Sequence, residues 1–461
     1  MEIKDKGTIF FSFRKQYPHF VYEKYTIIKA KKSIHLSFEF KLSDEIVFKP
    51  EIKISIRNFF HVEDLSDSDL NNFAFHVGMI ELISYWKATC SPQIIVRPNK
   101  LNEDQIKWWK KVYFFGLGEF FYLNNIKVDQ ENFVDIVSNS DFELKPVLIP
   151  LKNSIIVPIG GGKDSIISLE MLKNKKQIYP FLLNPIKSSL NTVKKAGFSK
   201  DELITASRLI DPKLLELNKK GYLNGHTPFS ALLAFVSVFI AALSGVKNIA
   251  LSNESSANEA TIINTKINHQ YSKSIDFEAD FRKYVSKYIS KDINYFSFLR
   301  PLSELQIANL FSGFPKYFPV FRSCNVGSQK GIWCGQCPKC LFTFIIFSPF
   351  ISQNELVNIF GKNLFDDKNL LTIFNQLIGI DKEKPFECVG TTEEVNAALV
   401  LTINKQAVEE LPFLLNYYKN SPQYKNYKNI EIEKVLNNFD ENNYLGNGFS
   451  NVLTENLGQW K

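Results

Sequence analysis

The apolar run Ser154-Ile155-Ile156-Val157-Pro158-Ile159 ends in three consecutive glycines, and residues 165–173 carry helical periodicity directly after them. That arrangement commits the chain to a strand, a tight glycine turn and a helix whose N-terminus faces the turn. Glycines let backbone N–H groups approach an anion closely, and a helix N-terminus adds a favourable dipole. Gly160-Gly161-Gly162-Lys163-Asp164-Ser165 is therefore a candidate nucleotide-phosphate site, with a plain turn as the alternative. It is not a P-loop, because Asp164 stands where that motif needs Ser or Thr after its Lys. Its glycine spacing also differs from the dinucleotide fingerprint.

The surrounding pattern is α/β. Strands are expected at 178–183, 247–252 and 295–299, with helices at 229–243 and 302–311 between or after them. Such alternation implies a doubly wound parallel sheet, with ligands bound along the edge where the strands end. The first part reads differently. Residues 33–40 and 51–56 alternate apolar and polar, as half-buried antiparallel strands do, and helices follow at 75–87 and 105–123. The expected organisation is an N-terminal α+β module over 1–145 and an α/β catalytic domain over 150–461. A further helix is expected at 392–402, and the polar, Asn- and Tyr-rich end from Tyr417 is expected to be loosely ordered.

With 461 residues, 45% hydrophobic and 14% aromatic, the chain can fill two well-packed cores. The net charge of +7 suits an anionic small molecule, and no dense Lys/Arg block marks a nucleic-acid face. The most apolar stretch, 229–243, falls short of the ~18 residues a spanning helix needs and reads as buried. Residues 1–14 mix charges with short apolar runs, unlike a secretory signal. A cytoplasmic location with no membrane partner is the resulting expectation, and it disfavours disulfides among the six cysteines.

Cys324, Cys334, Cys337 and Cys340 form C-x9-C-x2-C-x2-C, a spacing suited to a closed tetrahedral zinc site, with an iron–sulfur cluster left open. Cys90 and Cys388 read as small core residues. A second polar edge, residues 252–261, leaves a core strand carrying Asn253, Glu254 and Glu259. Arg300 ends another strand on the same expected edge, where it could hold a carboxylate or phosphate or pair locally.

The glycine loop resembles the pyrophosphate loop, Ser-Gly-Gly-x-Asp-Ser, of the N-type ATP pyrophosphatases (the adenine nucleotide alpha hydrolase-like PP-loop fold). The resemblance implies that Gly161, Gly162, Lys163, Asp164 and Ser165 hold the leaving pyrophosphate and that Asp164 helps place Mg²⁺. Gly160 stands where that family usually has Ser. The cysteine pattern is similar to that of the 7-cyano-7-deazaguanine synthases, which are about half this length. More of the chain resembles the MurL family, the UDP-N-acetylmuramoyl-L-alanyl-L-glutamate epimerases. That likeness covers residues 75–82, Trp108-Trp109-Lys110, the glycine loop, 252–259, 268–274, the cysteines and 384–390.

The MurL resemblance implies ATP-dependent inversion of a terminal L-Glu in a UDP-sugar dipeptide, with Mg²⁺ required and AMP and pyrophosphate released. Candidate proton-transfer groups are His269, Glu254 and Glu259, with Cys388 as an outsider and Asp164 beside them in the loop. Lys273 and Arg300 are substrate-binding candidates, and Asn253 joins the loop in holding nucleotide. His226, before Thr227-Pro228, is expected to shape a helix start. A nucleoside-modifying or tRNA-thiolating enzyme is the enzymatic alternative, and a non-catalytic nucleotide-binding zinc protein is the other.

Overall fold

A computed structural model describes residues 6–262, 265–405 and 410–457. The start of the stretch expected not to be a secretory signal, residues 1–5, lies outside them. Eleven strands are present among the described residues: β1 (His19–Ala30), β2 (Ser33–Lys41), β3 (Val47–Phe48), β4 (Glu51–Ser55), β5 (Gln93–Val96), β6 (Asp135–Ser138), β7 (Lys152–Pro158), β8 (Ile178–Leu183), β9 (Ile204–Leu209), β10 (Val246–Leu251) and β11 (Asn294–Ser297). Helices alternate with them, and the fold class is mixed α/β. Two compact units account for the chain: Met1–Ile156, Asp201–Ile249 and Lys266–Tyr295 in the first, and Val157–Lys200, Ala250–Thr265 and Phe296–Lys461 in the second.

In the first unit the alternation of β2 and β4 buries one face of each, as their sequences require. β1 pairs antiparallel with β2, which pairs antiparallel with β4, which pairs antiparallel with β9. β5 joins β1 in parallel and β6 joins β5 in parallel, so the expected antiparallel sheet is extended by two parallel strands. Residues 246–249 run parallel to 152–156.

Helix Asp67–Trp86 begins in a capping box between Ser66 and Asp69 and is buried over nearly all its length. Its Phe73 ring stacks on Phe239 of helix Phe229–Ser244, with centroids 5.6 Å apart. Gly78 is where it is because an added Cβ would fall 1.9 Å from the Tyr22 hydroxyl. Glu81 is fully buried and receives the Arg208 Nε at 2.8 and 3.0 Å. Trp108 stacks on Tyr284 at 4.0 Å, and the Trp109 indole N–H donates to the Tyr284 hydroxyl at 3.0 Å. The blocks at 75–82 and 108–110 are thus packing elements of this unit. Among the described residues no helix is long and apolar enough to cross a membrane, and helix Phe229–Ser244 is buried from Ala234 onward, with Phe229 exposed at its start.

In the second unit the Ile159 N–H donates to the Phe181 carbonyl of β8, and the Phe298 N–H donates to the Leu251 carbonyl of β10. Helix Lys163–Leu172 follows the glycine loop directly. Up to Leu457, the last described residue, the structure corrects the expectation of loose order from Tyr417. Helices Phe413–Lys419, Pro422–Tyr427, Ile432–Asn437 and Asn447–Leu457 occupy it. The physical reason is sparse but well-spaced apolar anchors. Tyr418 is buried with its hydroxyl on Asn396 Oδ1 at 2.8 Å, and Phe449 packs 4.5 Å from Phe296.

Candidate active site

The glycine loop is built by its neighbours within the second unit. Gly162 is the N-cap of helix Lys163–Leu172, in extended conformation and with no side chain capping it. The first-turn N–H groups therefore present a dipole end suited to an anion. Gly161 has φ +90°, and an added Cβ would lie 2.7 Å from the Ser189 nitrogen. No other residue fits there. A Cβ added at Gly160 would meet nothing within 4 Å, so the loop tolerates the Ser usual in pyrophosphate loops. The Gly161 carbonyl accepts from the Arg322 N–H at 2.9 Å, and Ser165 Oγ accepts from the Gly161 N–H at 3.3 Å.

Lys163 is buried, and its ammonium is ion-paired with both Asp164 and Glu304. Burial alone would lower its pKa, but Asp164, Glu304 and Glu254 overturn that and hold it above the ordinary lysine value. Burial lifts the Glu304 carboxyl, with Lys163 opposing and Asp164 and Glu254 adding to the rise. A fourth acid, Glu394, is also raised by burial while accepting from the N–H groups of Glu304 and Thr391, each at 2.6 Å. Lys163 thus faces three carboxylates, Asp164, Glu304 and Glu254, at the start of helix Lys163–Leu172.

The 252–259 edge is tied down beside this cluster. Asn253 Nδ2 donates to Ser297 Oγ at 2.9 Å. Arg300 is fully buried, donating Nη1 to the Glu254 carbonyl at 2.6 Å and Nη2 to Ser297 Oγ at 3.2 Å. Its observed partners are therefore groups of the site itself. Ser255 bonds the Leu302 carbonyl through both N–H and Oγ, at 3.1 and 3.0 Å. Glu259 is ion-paired with Lys384. The second unit thus brings together the loop, Asn253, Glu254 and Arg300.

His269 and Lys273 belong to the first unit. His269 Nδ1 lies 2.5 Å from Glu119 Oε2, and Lys273 Nζ donates to Gln270 Oε1 at 3.4 Å. His226, expected only to shape a helix start, stands against the same carboxylate at 3.4 Å. Burial, with His269 adding to it, pushes the His226 imidazole down to about 4, so it is neutral at pH 7.

The four cysteines converge in the second unit. Sγ separations are 3.8 Å for Cys324–Cys337, 3.7 Å for Cys334–Cys340 and 3.5 Å for Cys337–Cys340. Zinc–sulfur bonds of about 2.3 Å in a tetrahedron set the sulfurs about 3.8 Å apart, so the donor set fits Zn²⁺. The Gly327 N–H donates to Cys324 Sγ at 3.1 Å. Lys339, on the helix that Cys337 caps, bonds the Cys388 carbonyl, and its N–H donates to Glu387 Oε2 at 2.8 Å. Residues 384–390 therefore brace the cysteine knuckle. Cys90 is buried, with burial pushing its thiol up, as a core residue should be.

Sequence reasoning missed Glu304, Glu394 and Glu119. Ser303-x-x-Gln306 is a legible capping box that places Glu304 at a helix start near the ligand edge. For Glu394 and Glu119, no local signal separates them from ordinary helix acids.

Two family models match: the MurL N-terminal domain over residues 12–298 and the MurL C-terminal domain over 320–431. The chain belongs to the MurL family. Three curated relatives carry the name UDP-N-acetyl-alpha-D-muramoyl-L-alanyl-L-glutamate epimerase. That of Xanthomonas oryzae pv. oryzae is 32% identical over 366 residues, 78% of this chain and 80% of the relative. Those of a Micromonospora species and of Salinispora tropica are each 35% identical, over 72% of this chain and 74% and 73% of theirs. No solved structure gives a significant match. MurL membership favours the epimerase reading over the nucleoside-modifying one.

Proposed function

We propose that this chain inverts the terminal L-Glu of UDP-N-acetylmuramoyl-L-alanyl-L-glutamate to D-Glu at the expense of ATP, in making peptidoglycan precursor. The MurL matches over both 12–298 and 320–431 carry the reading, and the loop geometry supports its chemistry. A free α-carboxylate resists loss of the neighbouring proton, because the carbanion would form beside a negative charge. Attack of that carboxylate on the α-phosphorus of ATP breaks the bond to the β-phosphate and releases pyrophosphate. The acyl adenylate has lost the carboxylate charge and stabilises an enolate. A base removes the α-proton, a proton returns on the opposite face, and water releases AMP and the D-centre.

The first-turn N–H groups after Gly161 and Gly162, Lys163 and Ser165 would hold the pyrophosphate, with Asn253 on the facing edge. Asp164, Glu254 and Glu304 offer the hard oxygen donors Mg²⁺ prefers, and the ion would offset phosphate charge there. Arg300 would act as a positioning residue for Glu254. Cys324, Cys334, Cys337 and Cys340 would hold a structural Zn²⁺. His269, Glu254 and Glu259 are the proton-transfer candidates and Lys273 a substrate contact. Such a substrate places the protein in the cytoplasm, without a nucleic-acid partner.

The test is incubation with ATP, Mg²⁺ and the UDP-sugar L-Ala-L-Glu, following AMP, pyrophosphate and glutamate chirality together. ATP-dependent D-Glu is the expected result. AMP without D-Glu would keep the adenylating site and reject the substrate, and neither product from folded protein would reject the reading. His269→Ala in D₂O separates the bases: if α-proton exchange survives at the wild-type rate, His269 is not the base.

A further inference from the structure

Three segments far apart in sequence deliver Glu119, His226 and His269 to one point in the first unit. Their donor atoms lie within 4.8 Å of one another. Two imidazoles and one carboxylate form the donor set that borderline divalent ions such as Zn²⁺ select. We propose that Glu119, His226 and His269 form a divalent transition-metal site, separate from the four cysteines, an assignment that takes His269 out of the proton-transfer candidates and leaves Glu254 and Glu259.

The donor atoms converge on one point, as the ligands of a shared ion do. Both histidines turn the same ring nitrogen, Nδ1, toward one oxygen, Glu119 Oε2. His269 reaches it at 2.5 Å, a hydrogen bond that an ion would have to open by about 0.8 Å to reach the ~3.3 Å edge of a tetrahedron with metal–ligand bonds near 2.0 Å. His226 stops at 3.4 Å, beyond good hydrogen-bond length but close to that edge. An ion bound here also needs each imidazole N–H on Nε2, so that the Nδ1 lone pair faces the ion. The side chains are 12–23% exposed, which leaves room for water or an anionic oxygen to complete the coordination.

The three ligands are also held in place before any ion arrives, which lowers the entropic cost of closing a site. Glu119 lies in helix Gly118–Leu123. The loop carrying His226 is fastened to that helix: a Cβ on Gly225 would lie 3.2 Å from the Phe120 ring, and Asn124 Nδ2 donates to the Asn224 carbonyl at 3.2 Å. The loop carrying His269 is fixed by the Gln270 N–H donating to Asn268 Oδ1 at 2.7 Å and by Tyr271 packing 5.2 Å from Phe115. Two cations stand nearby and oppose an added positive charge. Lys87 is spent on the Gly225 carbonyl, and Lys273 on Gln270. The Glu119 carboxylate and the two imidazole nitrogens must outweigh them.

The experiment uses the untagged full-length chain, reduced, loaded with Zn²⁺ and dialysed, with zinc per chain measured by mass spectrometry. Wild type should exceed His226→Asn and Glu119→Gln by one equivalent, while Cys337→Ser keeps that equivalent. Cobalt titration of wild type supplies a readout free of any folding defect in the variants. Thiolate-bound cobalt gives intense near-ultraviolet charge-transfer absorption. A further equivalent should add visible d–d bands without it. Equal zinc in wild type and in folded His226→Asn, or cobalt spectra of thiolate character only, would overturn the proposal. Neither result depends on epimerase activity.

Discussion

Lys163 and Glu304, 141 residues apart, form an ion pair in which each side chain is only 2% exposed. A buried pair contributes little net stability, but removing one partner strands the other charge. Glu304→Ala should destabilise the protein by about 3 kcal/mol, somewhat moderated because Asp164 also holds Lys163. Glu304→Gln keeps the shape and removes the charge, so it should fold and lose AMP release by roughly tenfold or more. Urea unfolding together with AMP release checks both. Wild-type stability in the alanine variant would show that the pair does not anchor the loop.

Adjacent glycines in the loop should respond oppositely. Gly161→Ala forces a Cβ into the Ser188–Ser189 backbone at φ +90°, costing at least about 1 kcal/mol and disordering the anion site. Gly160→Ser meets open space and should change stability by less than about 0.5 kcal/mol while retaining ATP turnover. Thermal melts and nucleotide titration of the two variants separate these effects.

His76 is fully buried, and burial pushes its imidazole down to about 4 although Nδ1 is bonded to the Asn72 carbonyl at 2.7 Å. Between pH 6.5 and 4 the unfolded chain binds a proton that the folded chain refuses, so stability falls as pH falls through that window. Below about 4 the folded imidazole protonates too and the loss levels off. From about pH 7 to about pH 4.5 the loss from this residue should be about 2 kcal/mol. His76→Phe should flatten the slope by that amount in urea unfolding at the two pH values.

Removal of metal from the cysteine knuckle should unfold the helix that Cys337 caps. Cys337→Ser, or a strong chelator, should remove one equivalent of zinc and lower the melting temperature, because thiolate coordination is folding energy. Unchanged melting after verified zinc loss would mean that the packing of Phe344 on Phe360 and Phe365, with ring centroids 5.3 and 5.0 Å apart, holds the segment alone.

Much of the site is legible in the sequence because its chemistry is local. Strand, three glycines and helix are consecutive, so Gly161, Gly162 and the helix start at Lys163 follow from backbone rules alone. Three of the four cysteines fall within seven residues, and β2, β4 and β8 stand within a residue of their expected bounds. The end of the chain misleads, because composition hides how few buried aromatics suffice to seat short helices. Arg300 is expected to end a strand, but β11 stops at Ser297 and Arg300 lies in the turn that follows, where its burial and its bond to the Glu254 carbonyl depend on a loop 46 residues away.

Neighbouring residues alone dictate the periodic elements, the glycine turn and the close spacing of the cysteines, since each is set by short-range sterics or by the sequence itself. Which distant acids surround Lys163, and that Glu119 meets His226 and His269, is a matter of long-range packing. Local propensity is blind to those meetings, because any of the 48 acids in the chain could serve equally well as far as it is concerned. Burial then sets their charge, because a carboxyl or imidazole acquires its working pKa from what surrounds it.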